Sequence, residues 1–197
     1  MIDEGVTKFK LDWLKGPTFN YPSVHELIKW RTPLWLAGLI GIIKPEEIGF
    51  GNMSARVANK FVITGTQTGG IRQLENKHFS LVTDFSQEEN RIVCVGPIAA
   101  SSESLTHASL YELGWSIQAV VHVHSERLWN EHAYTLPTTS ALVPYGTPAM
   151  AYEFEMLYKN SMFAKEGVAV MGGHQFGLIA IGVSVRAAVR KITDLLT

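Results

Sequence analysis

The sequence predicts an α/β protein built on a largely antiparallel or mixed sheet with helices on its faces. Short apolar, β-branched runs cluster in the middle of the chain, and several adjoin one another across turns instead of alternating with helices. The 197 residues suit one compact domain, residues 1–197, with a sizeable core. With 46% hydrophobic and 18% charged residues, disorder is excluded.

Taken in order, Ser23 can cap a helix through His25, Leu27, Ile28 and Trp30, with Pro33 starting or kinking the next segment. The apolar stretch Pro33–Ile43 reads as a buried helix, since a bilayer span needs about 20 residues. Gly49-Phe50-Gly51-Asn52 is a turn, leading into strands at Met53–Val57 and Lys60–Thr64. Further strands are expected at His78–Asp84 and Arg91–Val95, then a helix from Ser101 to Leu113. A strand carrying Val120-Val121-His122-Val123-His124 follows, then helices at Ser125–Ala133 and Ala149–Lys159. Strands at Gly167–Met171 and Leu178–Gly182 precede a last helix, Ser184–Leu196. No repeat, low-complexity tract or linker divides the chain.

Composition limits the partners. Formal net charge is −1 with no dense basic run, so neither nucleic acid nor an anionic membrane is expected. The low charged fraction, against a usual value of about 25%, and a mean hydropathy of +0.08 hint at subunit contacts. A single cysteine, Cys94, excludes an intrachain disulfide and fits a reducing cytoplasm, where a buried structural thiol is expected. Met1–Lys10 is mixed in charge and lacks the apolar core of a signal peptide.

The chemistry is concentrated at His122 and His124. Side chains alternate along a strand, so these two rings point the same way. Two neutral imidazoles on one face are half of a tetrahedral zinc site, although strand-end histidines are also satisfied by backbone or water. His174, set between two short strands and flanked by Gly172-Gly173, is the candidate third ligand. Three protein ligands would leave a coordination position open, as in catalytic zinc sites.

Ser101-Ser102-Glu103 opens a helix. It reads either as capping serines with a first-turn acid, or as an oxyanion site with Glu103 beside it. In the second case a neighbouring anion and desolvation would raise the Glu103 pKa toward proton-transfer range. Thr64-Gly65-Thr66-Gln67-Thr68-Gly69-Gly70 offers amides and hydroxyls to an anion, but no Lys-Ser/Thr follows as in a nucleotide-binding loop. His107, one turn after Glu103, either orients that acid or simply packs. His25, His78 and His132 read as surface or structural residues.

The order of these motifs resembles the class II aldolase/adducin family: Gly-x-Gly-Asn-x-Ser-x-Arg, Thr-x-Thr-Gly, Ser-Ser-Glu, Val-Val-His-x-His, then His ahead of Gly-Leu-Ile, over roughly residues 24–190. The resemblance implies a three-layer α/β/α fold with a central, mainly antiparallel sheet. It also implies a homotetramer with sites near subunit interfaces. It makes His122, His124 and His174 the ligands of Zn2+ or another divalent transition ion, and Glu103 the catalytic acid/base. Asn52, Thr68, Gly69, Ser101 and Ser102 would hold the phosphate of a sugar phosphate. The implied activity is metal-dependent aldol cleavage through an enediolate.

Ser-Ser-Glu-x-x-Thr-His and His-x-His-Ser, with Trp129 downstream, also resemble the pentulose-phosphate 4-epimerase branch, which usually carries aspartate where this chain has Glu103. A dehydratase or decarboxylase on the same scaffold, or a non-catalytic adducin-like interaction module, are the other readings. Three departures from the aldolase pattern stand out. Gln175 and Phe176 separate His174 from Gly177-Leu178-Ile179. The Pro137–Tyr145 segment is shorter than in fuculose-phosphate aldolase, leaving Tyr134, Tyr145 and Tyr152 as unranked candidates for a second proton-transfer group. The sequence stops at Thr197, short of the family's C-terminal extension and its tyrosine.

Overall fold

The computed structural model describes residues 5–197. The leader-free reading of Met1–Lys10 falls partly on Met1–Glu4, outside the described residues. The first half runs β1 (Lys10–Lys15), α1 (Pro22–Leu36), β2 (Gly41–Ile43), β3 (Ile48–Phe50), β4 (Asn52–Val57), β5 (Lys60–Thr64), β6 (Phe79–Ser86) and β7 (Arg91–Gly96). The second half runs α2 (Ser104–Glu112), β8 (Ala119–His124), α3 (Glu126–His132), α4 (Pro148–Asn160), α5 (Phe163–Glu166), β9 (Val168–Val170), β10 (Gly177–Gly182) and α6 (Val185–Thr193). The last expected helix thus closes with a separate 3-10 turn at Asp194–Leu196.

Eight strands form one sheet in the order β1-β7-β6-β5-β4-β8-β10-β9. Every neighbouring pair is antiparallel except β1 with β7. Helices cover both faces, as the sequence predicts. Val24, Leu27 and Leu34 of α1 and Ala188, Val189 and Ile192 of α6 share one apolar cluster with Met53, Val121, Val123 and Leu178. Leu105 and Ala108 of α2 and Phe154 of α4 share the opposite cluster with Ile63, Val120, Ile179 and the buried Cys94. The strict alternation Val120/Val121 and Leu178/Ile179 between the clusters is the period-two pattern of a sheet buried on both sides.

The helix ends follow local chemistry. Ser125, Thr147 and Ser184 each accept a bond from a backbone N–H three residues on and so cap α3, α4 and α6. Pro33 lies inside α1 without ending it.

The expected buried helix over Pro33–Ile43 is not formed. Helix α1 stops at Leu36, and Gly38 takes a left-handed φ of +72°. Leu39 N–H then bonds Leu34 O and Gly38 N–H bonds Trp35 O, the paired bonds that close a helix on glycine. The chain turns into β2, which pairs with β3 as a separate hairpin. Strand β1 has no counterpart among the expected elements: Lys10-Leu11-Asp12-Trp13-Leu14-Lys15 is mostly exposed, and its charges protect a sheet edge from further pairing. Among the described residues, no helix is long and apolar enough to cross a membrane.

Candidate active site

Strand β8 lies between β4 and β10, pairing His122 with Asn52 on one side and Ile179 on the other, and His124 with Gly177. Residues paired across a sheet face the same side. Asn52, Ser54, His122 and His124 therefore point toward α2, whose N-cap position is Glu103.

This register brings His122, His124 and His174 together, with one nitrogen from each lying within 4.8 Å of the others. The rings of His122 and His174 stack 4.9 Å apart, while His124 meets both nearly edge-on. His122 Nδ1 lies 3.0 Å from the Leu178 carbonyl oxygen. A carbonyl only accepts, so Nδ1 carries a proton and a neutral His122 has its lone pair on Nε2. That Nε2 faces Glu103 Oε1 at 3.0 Å and His124 Nε2 at 3.0 Å. A lone pair held against a carboxylate oxygen is reconciled only by a cation, either a proton or a metal ion. The donor set, three imidazoles with one orienting bond to a backbone carbonyl, fits a divalent transition ion.

His174 reaches the cluster despite the two intervening residues. Its N–H bonds Met171 O, Gly177 N–H bonds back to His174 O, and Phe176 adopts a left-handed φ of 64°. The extra residues are taken up in this turn, which re-enters β10 at Gly177. A Cβ there would stand 3.1 Å from His122 Cε1 and 3.2 Å from His174 Cγ, so glycine alone fits beside both rings at their present positions.

Glu103 is buried, 1% exposed. Asn52 Nδ2 donates to its Oε1 at 3.0 Å, while Oε2 has no hydrogen-bond partner and lies 3.6 Å from His174 Nδ1. Burial alone would raise its pKa, but the charges of His122 and His174 and the His122 hydrogen bond outweigh it. The carboxyl sits well below the usual carboxylate range. The neighbouring histidine rings thus act opposite to the upward shift expected beside a bound anion. Burial, with the neighbouring rings of His122 and His174, holds His124 well below the usual histidine value, so it presents a neutral ring.

Ser101 and Ser102 are buried ahead of α2, and they line one pocket with Asn52, Thr68 and Gly69. Neither serine caps the helix: Glu103 holds the cap position, and the Ser101 carbonyl accepts from the Ser104 N–H and hydroxyl. Helix α2 correspondingly begins three residues later than expected. The Thr68 hydroxyl donates inward to Gly65 O at 2.8 Å, so its proton is not available to an anion.

Some contributors stay unranked by sequence reasoning and others escape it, Ser54, Tyr111 and Arg31 among them. Of the three tyrosines, Tyr134 and Tyr152 are exposed, whereas Tyr145 is buried and stacks on His174. Ser54 Oγ bonds both His107 Nδ1 at 2.7 Å and Tyr111 OH at 2.8 Å. His107 is thus a packed residue bonded away from Glu103, and burial lowers its pKa to about 3. Arg31 is buried beneath the Thr68-Gly69 loop. Its signal is visible in retrospect: Val24, Leu27, Arg31 and Leu34 follow helical spacing, with one cation in the buried stripe. His78 closes a capping box with Glu75, His132 contacts Thr135, and His25 is exposed, as expected for bystanders.

A family defined by this sheet and this motif order is matched directly. The Class II Aldolase and Adducin N-terminal domain matches residues 46–196, and the chain belongs to that family. L-fuculose-1-phosphate aldolase from Thermus thermophilus superposes with a TM-score of 0.63 at 20% identity, covering 87% of each chain. YgbL from Klebsiella pneumoniae, a candidate aldolase/epimerase/decarboxylase, gives 0.65 at 18% identity, covering 88% of this chain and 84% of its own. A sugar-phosphate aldolase from Thermotoga maritima gives 0.64 at 15% identity over 88% and 90%. At these identities the likeness is one of fold. No curated protein matches the chain.

Proposed function

We propose that this chain is a metal-dependent aldehyde-lyase that cleaves a sugar phosphate, or a similar hydroxy-ketone, by a retro-aldol reaction. The observation that carries the reading is His122 Nε2, tautomer fixed by Leu178 O, facing a carboxylate and a second imidazole at 3.0 Å. His122, His124 and His174 would hold Zn2+ or another divalent transition ion. Such an ion supplies Lewis acidity toward a carbonyl and its adjacent hydroxyl.

The chain's own residues do the rest. Glu103 Oε2, buried and lacking a hydrogen-bond partner, takes a proton and returns it to the carbon left by cleavage. Asn52 holds the other carboxylate oxygen and fixes that orientation. Ser101, Ser102 and Gly69 grip the phosphate, and this remote binding positions the reacting carbons. Tyr145 backs His174 and keeps its ring in place. By family likeness the working form is a cytoplasmic homotetramer.

A second reading, epimerase or decarboxylase, shares the stabilised enediolate and draws support from the YgbL fold likeness. Glutamate at position 103 favours the lyase over the epimerase. The test is elemental mass spectrometry of the purified protein, followed by a screen of sugar phosphates for cleavage. Close to one divalent transition ion per chain and split products are expected. Metal without cleavage, but with CO₂ release or an inverted centre, would select the second reading. Protein that takes up no added zinc would overturn the enzyme and favour an interaction module.

A further inference from the structure

Arg31 is 2% exposed, and among the described residues it makes no ion pair with a carboxylate. Its guanidinium is satisfied by backbone alone. Nη2 donates to Thr68 O at 2.9 Å and Gly69 O at 2.8 Å, and Nη1 to Ile71 O at 2.7 Å and Arg72 O at 3.3 Å. A buried charge without a counter-charge is costly, and an apolar side chain would fill the α1 stripe without that cost.

The geometry gives the charge a use. A trans peptide unit is planar, with C=O and N–H pointing in opposite directions. Because the Thr68 carbonyl points at Arg31, the Gly69 N–H points away from it. Among the described residues that N–H meets no acceptor, and Gly69 lines the pocket shared with Ser101, Ser102 and Asn52. No charged side chain lines this pocket, and the Thr68 hydroxyl proton is committed to Gly65 O. The cation therefore lies one peptide unit behind the pocket wall and polarises the unit it holds.

We propose that Arg31 is a positioning residue of the anion pocket. By holding the Thr68 and Gly69 carbonyls, it aims the Gly69 amide at a phosphate dianion and sets a positive charge behind that amide. This rests on the sugar-phosphate reading above and adds the device by which a pocket of neutral groups binds a dianion.

The probe is inorganic phosphate, titrated into the purified full chain, the Arg31→Lys variant and the Arg31→Gln variant. Zinc uptake and the melting temperature serve as controls for folding. Arg31→Gln is expected to weaken phosphate binding about tenfold or more, with Arg31→Lys intermediate because it keeps the charge and loses the fork. In the unmodified protein, the Gly69 amide resonance should shift with phosphate and saturate at the same concentration as binding. Phosphate bound away from this amide would not produce that shift. Equal phosphate affinity in folded Arg31→Gln, or an unmoved Gly69 amide while phosphate binds, would overturn the role of Arg31 and leave the lyase standing. If Arg31→Gln fails to fold, the Gly69 amide alone decides. No phosphate binding to the unmodified chain would overturn both this role and the sugar-phosphate reading.

Discussion

Tyr145 lies flat against His174, ring centroids 4.1 Å apart and planes 20° apart, although the two come from different segments. The phenol is tied down at its far end, where Val6 N–H donates to its oxygen at 3.0 Å. Lys8 Nζ covers the same ring at 3.9 Å. The His174 ring is therefore placed by an aromatic wall as well as by its own turn.

Tyr145→Phe keeps the wall and loses only the hydroxyl bonds. It should cost about 1 kcal/mol in stability and leave zinc uptake intact. Tyr145→Ala removes a buried aromatic, should cost about 3–5 kcal/mol, and should lower zinc affinity by freeing His174. Denaturant unfolding and competitive zinc titration measure both. Equal zinc affinity in a folded Tyr145→Ala protein would show that the wall does not position the ligand.

Holding the metal and moving the proton should separate by mutation. His122→Ala removes a donor from the middle of the cluster, and bound metal should fall to near zero by elemental mass spectrometry. Glu103→Gln keeps the shape and the neighbouring rings, so metal should stay. Turnover should fall about 10²–10⁴-fold, the usual worth of a positioned acid/base. Full turnover in Glu103→Gln would remove Glu103 from the mechanism.

Which parts of the fold are readable depends on whether the determining contacts are local. Strand β4, Asn52-Met53-Ser54-Ala55-Arg56-Val57, and the run His122-Val123-His124 alternate polar and apolar residues, so their faces follow from the sequence. So does the approach of His122 to His124. Strand β1 escapes such reading because its partner β7 is remote in sequence and its edge position removes the apolar pattern. The break in Pro33–Ile43 depends on Gly38, a single residue inside an apolar run. Gln175 and Phe176 look like an obstacle because a sequence offset says nothing of the turn that absorbs it. The tautomer of His122 is beyond sequence reasoning, since it depends on a carbonyl 56 positions away.

Gly177 lies against the rings of two proposed ligands, His122 and His174, and that makes Gly177→Ala a sharp probe of the turn. Its methyl would meet His122 Cε1 at 3.1 Å, His174 Cγ at 3.2 Å and the His174 carbonyl oxygen at 3.0 Å. The rings must part by a few tenths of an ångström. Zinc affinity should therefore drop with modest loss of global stability, since the rest of β10 still pairs. Unchanged affinity by competitive titration would mean that the ring positions tolerate such shifts.

His107, one turn after Glu103 and bonded to Ser54, gives the fold an acid-sensitive element. Burial, the largest influence, holds its pKa to about 3 against the ordinary 6.5. The unfolded chain thus binds a proton between those values that the folded chain refuses. Stability is full above the unfolded value and is lost as pH falls from 6.5 toward about 3. The slope approaches about 1.4 kcal/mol per pH unit for one proton. His107→Gln can still bond Ser54 and cannot titrate, so its stability should fall less steeply over the same window. Urea unfolding of both proteins from about pH 7 to about pH 4 gives the difference directly. Parallel curves would show that His107 is protonated as easily in the folded protein as in the unfolded chain, and that its burial does not govern the acid response.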